Sequence, residues 1–187
     1  GVRVIEGPFT RLPGIHPVIS SNRVDRFYAG NQGSLVGPVA PFVRMLSNLG
    51  IFGPTTWTLP AGSVLDSMAP SLDETVLYYI NAGVNLPVKR WDLVGNVALS
   101  DLVGGLAGYQ AMPDLLVLQD GTILVGYLRT VNLAPQLIVN QYNAAGAILH
   151  AFNFTISDSG SPPTTVRLAI GIDDPVSFWF KRHVLGG

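Results

Sequence analysis

One pattern of hydrophobic and polar positions occurs three times along the chain. Ser67 to Tyr79, Asp114 to Gly126 and Arg167 to Trp179 align without a gap. Each reads as a strand, a tight turn on an acidic residue, and a second strand that is apolar at almost every position. The turn aspartates Asp73, Asp120 and Asp173 are 47 and then 53 residues apart. Apolar runs such as 75–80 and 122–127 suit strands covered on both faces. Beyond them strict alternation returns in 88–92 and 136–142, and turns at Gly95-Asn96 and at 143–146 lead into a fourth strand, 97–100 or 147–152. Trp91 and Tyr142 repeat on the third strand at an offset of 51. Two landmarks recurring at nearly one spacing predict four-stranded sheets stacked around an axis.

The pattern predicts an all-β chain with two complete units and one partial unit, the last starting at Thr165 and ending after its second strand. Fourteen prolines and twenty-one glycines cut the sequence into short segments and disfavour long helices. Residues 63–187 form the repeat region. Residues 1–62 fit it poorly and read as an irregular N-terminal arm or partial unit. Within the arm, Arg23 to Tyr28 faintly echoes an outer hairpin. Pro41 to Leu49, with proline at its start and Gly50 just past its end, is the best helix candidate.

Composition changes the picture in one respect. Charged residues are 12% of the chain and hydrophobic residues 48%, which leaves little polar surface and points either to a large fraction of buried strand or to apolar faces covered by other subunits. Eleven basic and twelve acidic residues give a net charge of −1 with no run of either sign, so binding to nucleic acid through phosphate neutralisation is not expected. There is no cysteine, hence no disulfide frame, thiolate metal site or cysteine nucleophile. No signal peptide is read at the N-terminus, and no apolar stretch approaches the roughly 20 residues of a spanning helix.

Candidate chemistry is sparse. Six residues before each turn aspartate stand Ser67, Asp114 and Arg167. At that end of an inner strand the three would meet near the mouth of a central channel and contact a polar ligand; solvated strand starts explain the same residues more plainly. The turn carboxylates suggest calcium or acid/base chemistry, but a turn aspartate bonded to its own backbone accounts for them without a ligand. His16, His150 and His183 are isolated, no Gly-x-Ser-x-Gly elbow occurs, and neither metal nor cofactor is expected. Trp91 and Tyr142 are candidates for stacking on a sugar or for packing between sheets. Trp179 and Phe180, in the partial unit, are candidates for a subunit interface.

The wording of 118–126, Leu-Gln-Asp-Gly-Thr-Ile-Leu-Val-Gly, followed by 139–148, Val-Asn-Gln-Tyr-Asn-Ala-Ala-Gly-Ala-Ile, resembles β-propeller blades of the broad NHL, kelch and PQQ-like kind. It is similar to blades of bacteriophage virion proteins and bacterial surface proteins, and residues 173–179 look like the opening of a next blade. The resemblance covers about 120 residues from Ser63 onward. It implies a propeller-type scaffold and carries over no catalytic residue, because such families share architecture and not a reaction. The expectation is a non-enzymatic structural or binding component of a larger assembly, virion-associated or extracellular, with other protein subunits as partners and a homo-oligomer as the expected form. A carbohydrate-binding propeller assembled from several copies is the alternative.

Overall fold

The computed structural model describes residues 17–20, 26–31, 41–47, 49–61, 63, 65–81, 85, 87–106, 113–131, 134–155, 165–170 and 176–181. Every regular element among them is a strand. Blade 1 contains β1 (Pro17–Ser20), β2 (Arg26–Asn31), β3 (Phe42–Ser47) and β4 (Phe52–Thr58). Blade 2 contains β5 (Leu65–Pro70), β6 (Val76–Asn81), β7 (Val88–Asp92) and β8 (Val97–Ala98). Blade 3 contains β9 (Asp114–Val117), β10 (Ile123–Val131), β11 (Ala134–Tyr142) and β12 (Ile148–Thr155). Blade 4 shows β13 (Thr165–Ile170) and β14 (Val176–Lys181). Each sheet is an antiparallel meander in chain order. The first strands β1, β5, β9 and β13 lie side by side in that sequence. The fold is therefore a propeller-type array of blades whose inner edges share one axis.

The inner hairpins turn at corresponding positions. The pairs Pro17↔Asn31, Leu65↔Asn81, Val117↔Ile123 and Thr165↔Lys181 centre on positions 24, 73, 120 and 173, half the sum of each pair, with a half-residue shift in blade 2 beyond the bulge at Leu65 and Ser67. The last three are the positions of the repeated aspartates. The first belongs to the stretch expected to be an irregular arm or a partial unit, and there β1 to β4 form a full four-stranded sheet. That blade escaped detection because its inner connection, Ser-Asn-Arg-Val-Asp at 21–25, has no acidic residue at the centre. Arg26–Asn31 is correspondingly a second strand and not part of an outer hairpin.

The expected helix at 41–49 is also overturned, since Phe42–Ser47 is strand β3. Val43 and Met45 face blade 2 while Leu46 is buried on the opposite side, so burial on both faces hides the period-two signal. Gly50 misled for a physical reason. Its φ of +78° suits a residue just past a helix and equally the turn of a β-hairpin, and here it closes the β3–β4 turn by donating to Ser47 O at 2.9 Å. Pro54 within β4 is tolerated because β4 is an edge strand.

Blade faces alternate their partners residue by residue. On β6, Leu77 and Tyr79 pack toward blade 1 with Val43, Trp57 and Trp91, whereas Tyr78 and Ile80 pack toward blade 3 with Leu115, Ile123 and Tyr127. On β10, Ile123, Val125 and Tyr127 face blade 2 while Leu124 and Leu128 join Leu168 of blade 4. This explains the uninterrupted apolar runs: a strand sandwiched between two neighbouring sheets has no solvent face.

Loops hold the outer parts together. Arg90 on β7 donates to Ser100 O and, across the blade boundary, to Ala144 O at 3.0 Å. In the same β11–β12 turn, a β-carbon on Gly146 would lie 2.2 Å from Leu102 O, and Gly146 has a φ of +89°. Gly121 has a similar φ of +81° but open space around it. Gly146→Ala should therefore cost about 3 kcal/mol, combining steric overlap with left-handed strain. Gly121→Ala should cost about 1 kcal/mol, from strain alone. Urea unfolding of the two variants checks the difference; equal losses would contradict the close approach of blades 2 and 3.

Candidate functional site

Of the three residues expected near the axis, Ser67 and Asp114 meet, and Ser67 is buried where a solvated strand start was the plainer expectation. The β5–β6 ladder shifts register between Leu65 and Ser67, a bulge that sets these two side chains on opposite faces of the strand. Leu65 packs toward blade 1 and Ser67 turns toward blade 3, where its Oγ donates to Asp114 Oδ1 at 2.7 Å. Leu115 N–H donates to Ser67 Oγ at 3.2 Å and to Asp114 Oδ1 at 3.1 Å. The other carboxylate oxygen, Oδ2, accepts from Leu168 N–H on β13 at 2.9 Å. One carboxylate thus ties the inner strands of blades 2, 3 and 4.

Arg167 is adjacent to Leu168 on β13 and opposite Trp179 on β14, so its backbone stands at the level of this seam; its side chain lies outside the described residues. Ser67 is 5% exposed, and its hydroxyl gives its proton to a carboxylate while accepting an amide. Among the described residues no imidazole stands beside the pair: His150 is on outer strand β12. The arrangement works as a polar tie between blades.

The turn aspartates have local partners. Thr122 N–H and Thr122 Oγ1 donate to Asp120 Oδ1 at 2.9 and 2.6 Å. Thr75 N–H and Oγ1 donate to Asp73 Oδ1 at 3.2 and 2.9 Å, joined by Ser71 Oγ at 2.6 Å. These bonds hold both carboxyls below the usual aspartate value, chiefly through Ser71 at Asp73 and the Thr122 hydroxyl at Asp120. Each aspartate is a turn-former of the expected kind. Asp173 lies outside the described residues. Among the described residues no group of three or more His, Asp or Glu side chains could hold a metal ion.

Trp91 and Tyr142 occupy equivalent places. Trp91 is opposite Leu77 and Tyr142 opposite Ile123, and each ring faces the preceding blade. At 7% and 3% exposure they are spent on core packing and offer no open ring to a sugar. Trp179 and Phe180 sit on β14, paired with Arg167 and Val166; their side chains lie outside the described residues. Two features went unread in the sequence: the Arg90 bracket, which depends on a turn 54 residues away, and the exposed outer strand β12, exposed along all eight residues. The sequence Ile-Leu-His-Ala-Phe-Asn-Phe-Thr of β12 is mostly apolar and so does not mark it as exposed.

No family model matches the chain, and no curated protein matches it. Among solved structures, BamB from Moraxella catarrhalis superposes with a TM-score of 0.37 at 12% identity, over 87% of this chain. The chain spans 58% of the length of that protein. A likeness this loose decides neither fold nor function, and the propeller-type architecture stands on the chain's own sheets.

Replacing Asp114 by Ala should cost more than Ser67→Ala, about 3 against about 1 kcal/mol, because Asp114 loses bonds to two neighbouring blades and leaves the Ser67 hydroxyl without its acceptor. A double-mutant cycle should show the losses to be non-additive; strict additivity would refute the tie.

The pH dependence has two limbs. Folding lowers the Asp73 and Asp120 values below the ordinary 3.8, so their stabilisation is complete above a pH of about 4 and fades as pH falls through the lowered values. Burial pushes the Tyr79 hydroxyl from 10.0 up to about 12, so its contribution is complete below pH 10 and is lost as pH rises toward 12. Denaturation midpoints across pH check both limbs, and the double variant Asp73→Asn/Asp120→Asn should flatten the acidic one.

Proposed function

We propose that the chain is a non-enzymatic structural or binding component of a larger assembly, and that the assembly is a virion or an extracellular structure. The observation that carries this reading is the apolar rim of the blades. Leu49, Ile51 and Phe52 on blade 1, Val94, Val97 and Leu99 on blade 2, and Ile148 and Leu149 on blade 3 are all exposed, by 38 to 80%. Outer hairpins that display aliphatic side chains on three successive blades, in a chain with only 12% charged residues, make a surface suited to burial against other proteins. The virion reading rests on the likeness of the blade wording at 118–126 and 139–148 to phage virion proteins. The carbohydrate-binding alternative relied on Trp91 and Tyr142, whose rings are enclosed between blades.

At the axial seam the Ser67 hydroxyl, the Asp114 carboxylate and the Leu115 and Leu168 amides satisfy one another, which suits a polar tie between blades. Sedimentation of the purified chain at high micromolar concentration should show species larger than the 19.9 kDa protomer. Ile51→Lys combined with Leu149→Lys should shift the distribution toward the protomer without lowering the unfolding midpoint, since both side chains are exposed. A chain that stays monomeric throughout defeats self-assembly, and saturable binding on a glycan array would bring back the carbohydrate reading.

A further inference from the structure

The apolar rim is not evenly spread. Among the described residues, every large apolar side chain that is more than half exposed lies in or directly beside the last turn of a blade: Leu49 and Ile51 between β3 and β4, Val94 and Val97 at the β7–β8 turn, Ile148 at the β11–β12 turn. Tips of β-turns are ordinarily polar. Here the polar residue of each turn is withdrawn from the tip. The Ser47 hydroxyl accepts from Ile51 N–H at 3.2 Å, the Asp92 carboxylate from Val94 and Gly95 N–H at 2.8 and 2.9 Å, and the Asn143 amide oxygen from Ala145 and Ala147 N–H at 3.0 and 2.9 Å. One device thus repeats on three blades: a side-chain oxygen at the end of the third strand holds the turn from inside, and apolar side chains stand outside. Turns held in this way lose little further conformational entropy when a partner covers them.

Blade 2 adds charge. Leu93 N–H donates to Thr75 O at 2.8 Å, so the first and last turns of this blade lie side by side, and the exposed Leu72 joins Val94 and Val97 at the same end. Asp73, Glu74 and Asp92 stand in these two turns. Hydroxyls and amides hold Asp73 and Asp92, and neither forms an ion pair among the described residues. Blades 1 and 3 have Ser47 and Asn143 where blade 2 has Asp92, so the charge is particular to blade 2.

We propose that the turn end of blade 2 is a docking site for a partner protein segment in which Lys or Arg residues flank apolar side chains. The apolar residues cover Leu72, Val94 and Val97, and the cations meet the carboxylates beside them, which selects the partner and fixes its orientation. A second copy of this chain fits less well. A twofold contact through this end would set Asp73 and Asp92 against their own images, and Arg44, Lys89 and Arg90 are already engaged, by Gly53 O, by Asp101, and by Ser100 O with Ala144 O. An anionic lipid surface would meet the same repulsion. The inference rests on the reading of the chain as an assembly component and names the chemistry of what it binds.

Three short synthetic peptides serve as probes, alternating Lys with Leu, Glu with Leu, or Lys with Ser, each added to the isotope-labelled chain. The Lys–Leu peptide should shift the amide resonances of 72–75 and 93–97 saturably, with an affinity that falls as salt is raised. The other two should bind at least about tenfold more weakly. Asp73→Asn combined with Asp92→Asn should lower the affinity for the Lys–Leu peptide about tenfold, and so should Val94→Ser. Asparagine keeps an acceptor oxygen in the turn, as Asn143 does in blade 3, and unfolding midpoints check that each variant is folded.

Equal binding of the Glu–Leu peptide, undiminished binding by the variants, or shifts that lie elsewhere would overturn the proposal. So would shifts at 93–97 when the chain alone is concentrated, which mean that a second copy takes the site, or when phosphatidylcholine vesicles replace the peptide, which mean that lipid does. Self-association that leaves the Lys–Leu peptide unbound defeats this inference alone. A monomer that binds the peptide defeats self-assembly and leaves the docking site standing.

Discussion

Burial of sheet against sheet, with blades 2 and 3 each enclosed between two neighbours, is the constraint on which the rest of this structure depends. A four-stranded meander with apolar residues on both faces has no stable existence by itself in water, since one face or the other would always be wet. Stacking removes the conflict. Leu77 and Tyr79 leave water on one side of β6, Tyr78 and Ile80 on the other, each worth about 2 kcal/mol when fully buried. Stability is then shared between neighbours, and the blades hold or fail in company, as in other repeat architectures.

Polar groups fit into this scheme at two levels. Within a blade, Asp73 and Asp120 close the inner turns through hydroxyl and amide donors two residues on. Between blades, Asp114 accepts from Ser67 and from the Leu168 amide, joining three inner strands through a single carboxylate. The hydrophobic clusters set which blades pack together, and the directed bonds set their level along the axis, because a slip of one residue would separate Ser67 from Asp114. Arg90 and Gly146 fulfil the same purpose at the periphery, where the turn of blade 3 comes within contact of residues from blade 2.

The rim differs in kind from the interior. Core positions are apolar because they are enclosed, yet Ile51, Leu149 and Phe152 are apolar and open. Such residues cost solubility without stabilising the isolated chain.

Local information was enough for blades 2 and 3 and for the inner hairpin of blade 4, because a turn aspartate and an alternating strand are marked by neighbours close in the chain. Trp91 and Tyr142 were recognised as equivalent for the same reason. The bond between Ser67 and Asp114, 47 residues apart, was set by the stacking of the sheets. Blade 1 was not legible: its inner connection lacks the aspartate, and the apolar, proline- and glycine-bounded stretch around β3 satisfies a helix and a doubly buried strand alike. Which of the two forms was decided by β2 and β4, whose backbones pair with β3 on both sides. Exposure of β12, burial of Trp91 and the cross-blade bond of Arg90 were likewise set by sheets distant in sequence, since whether a strand face is covered depends on what stacks against it and not on the strand's own residues.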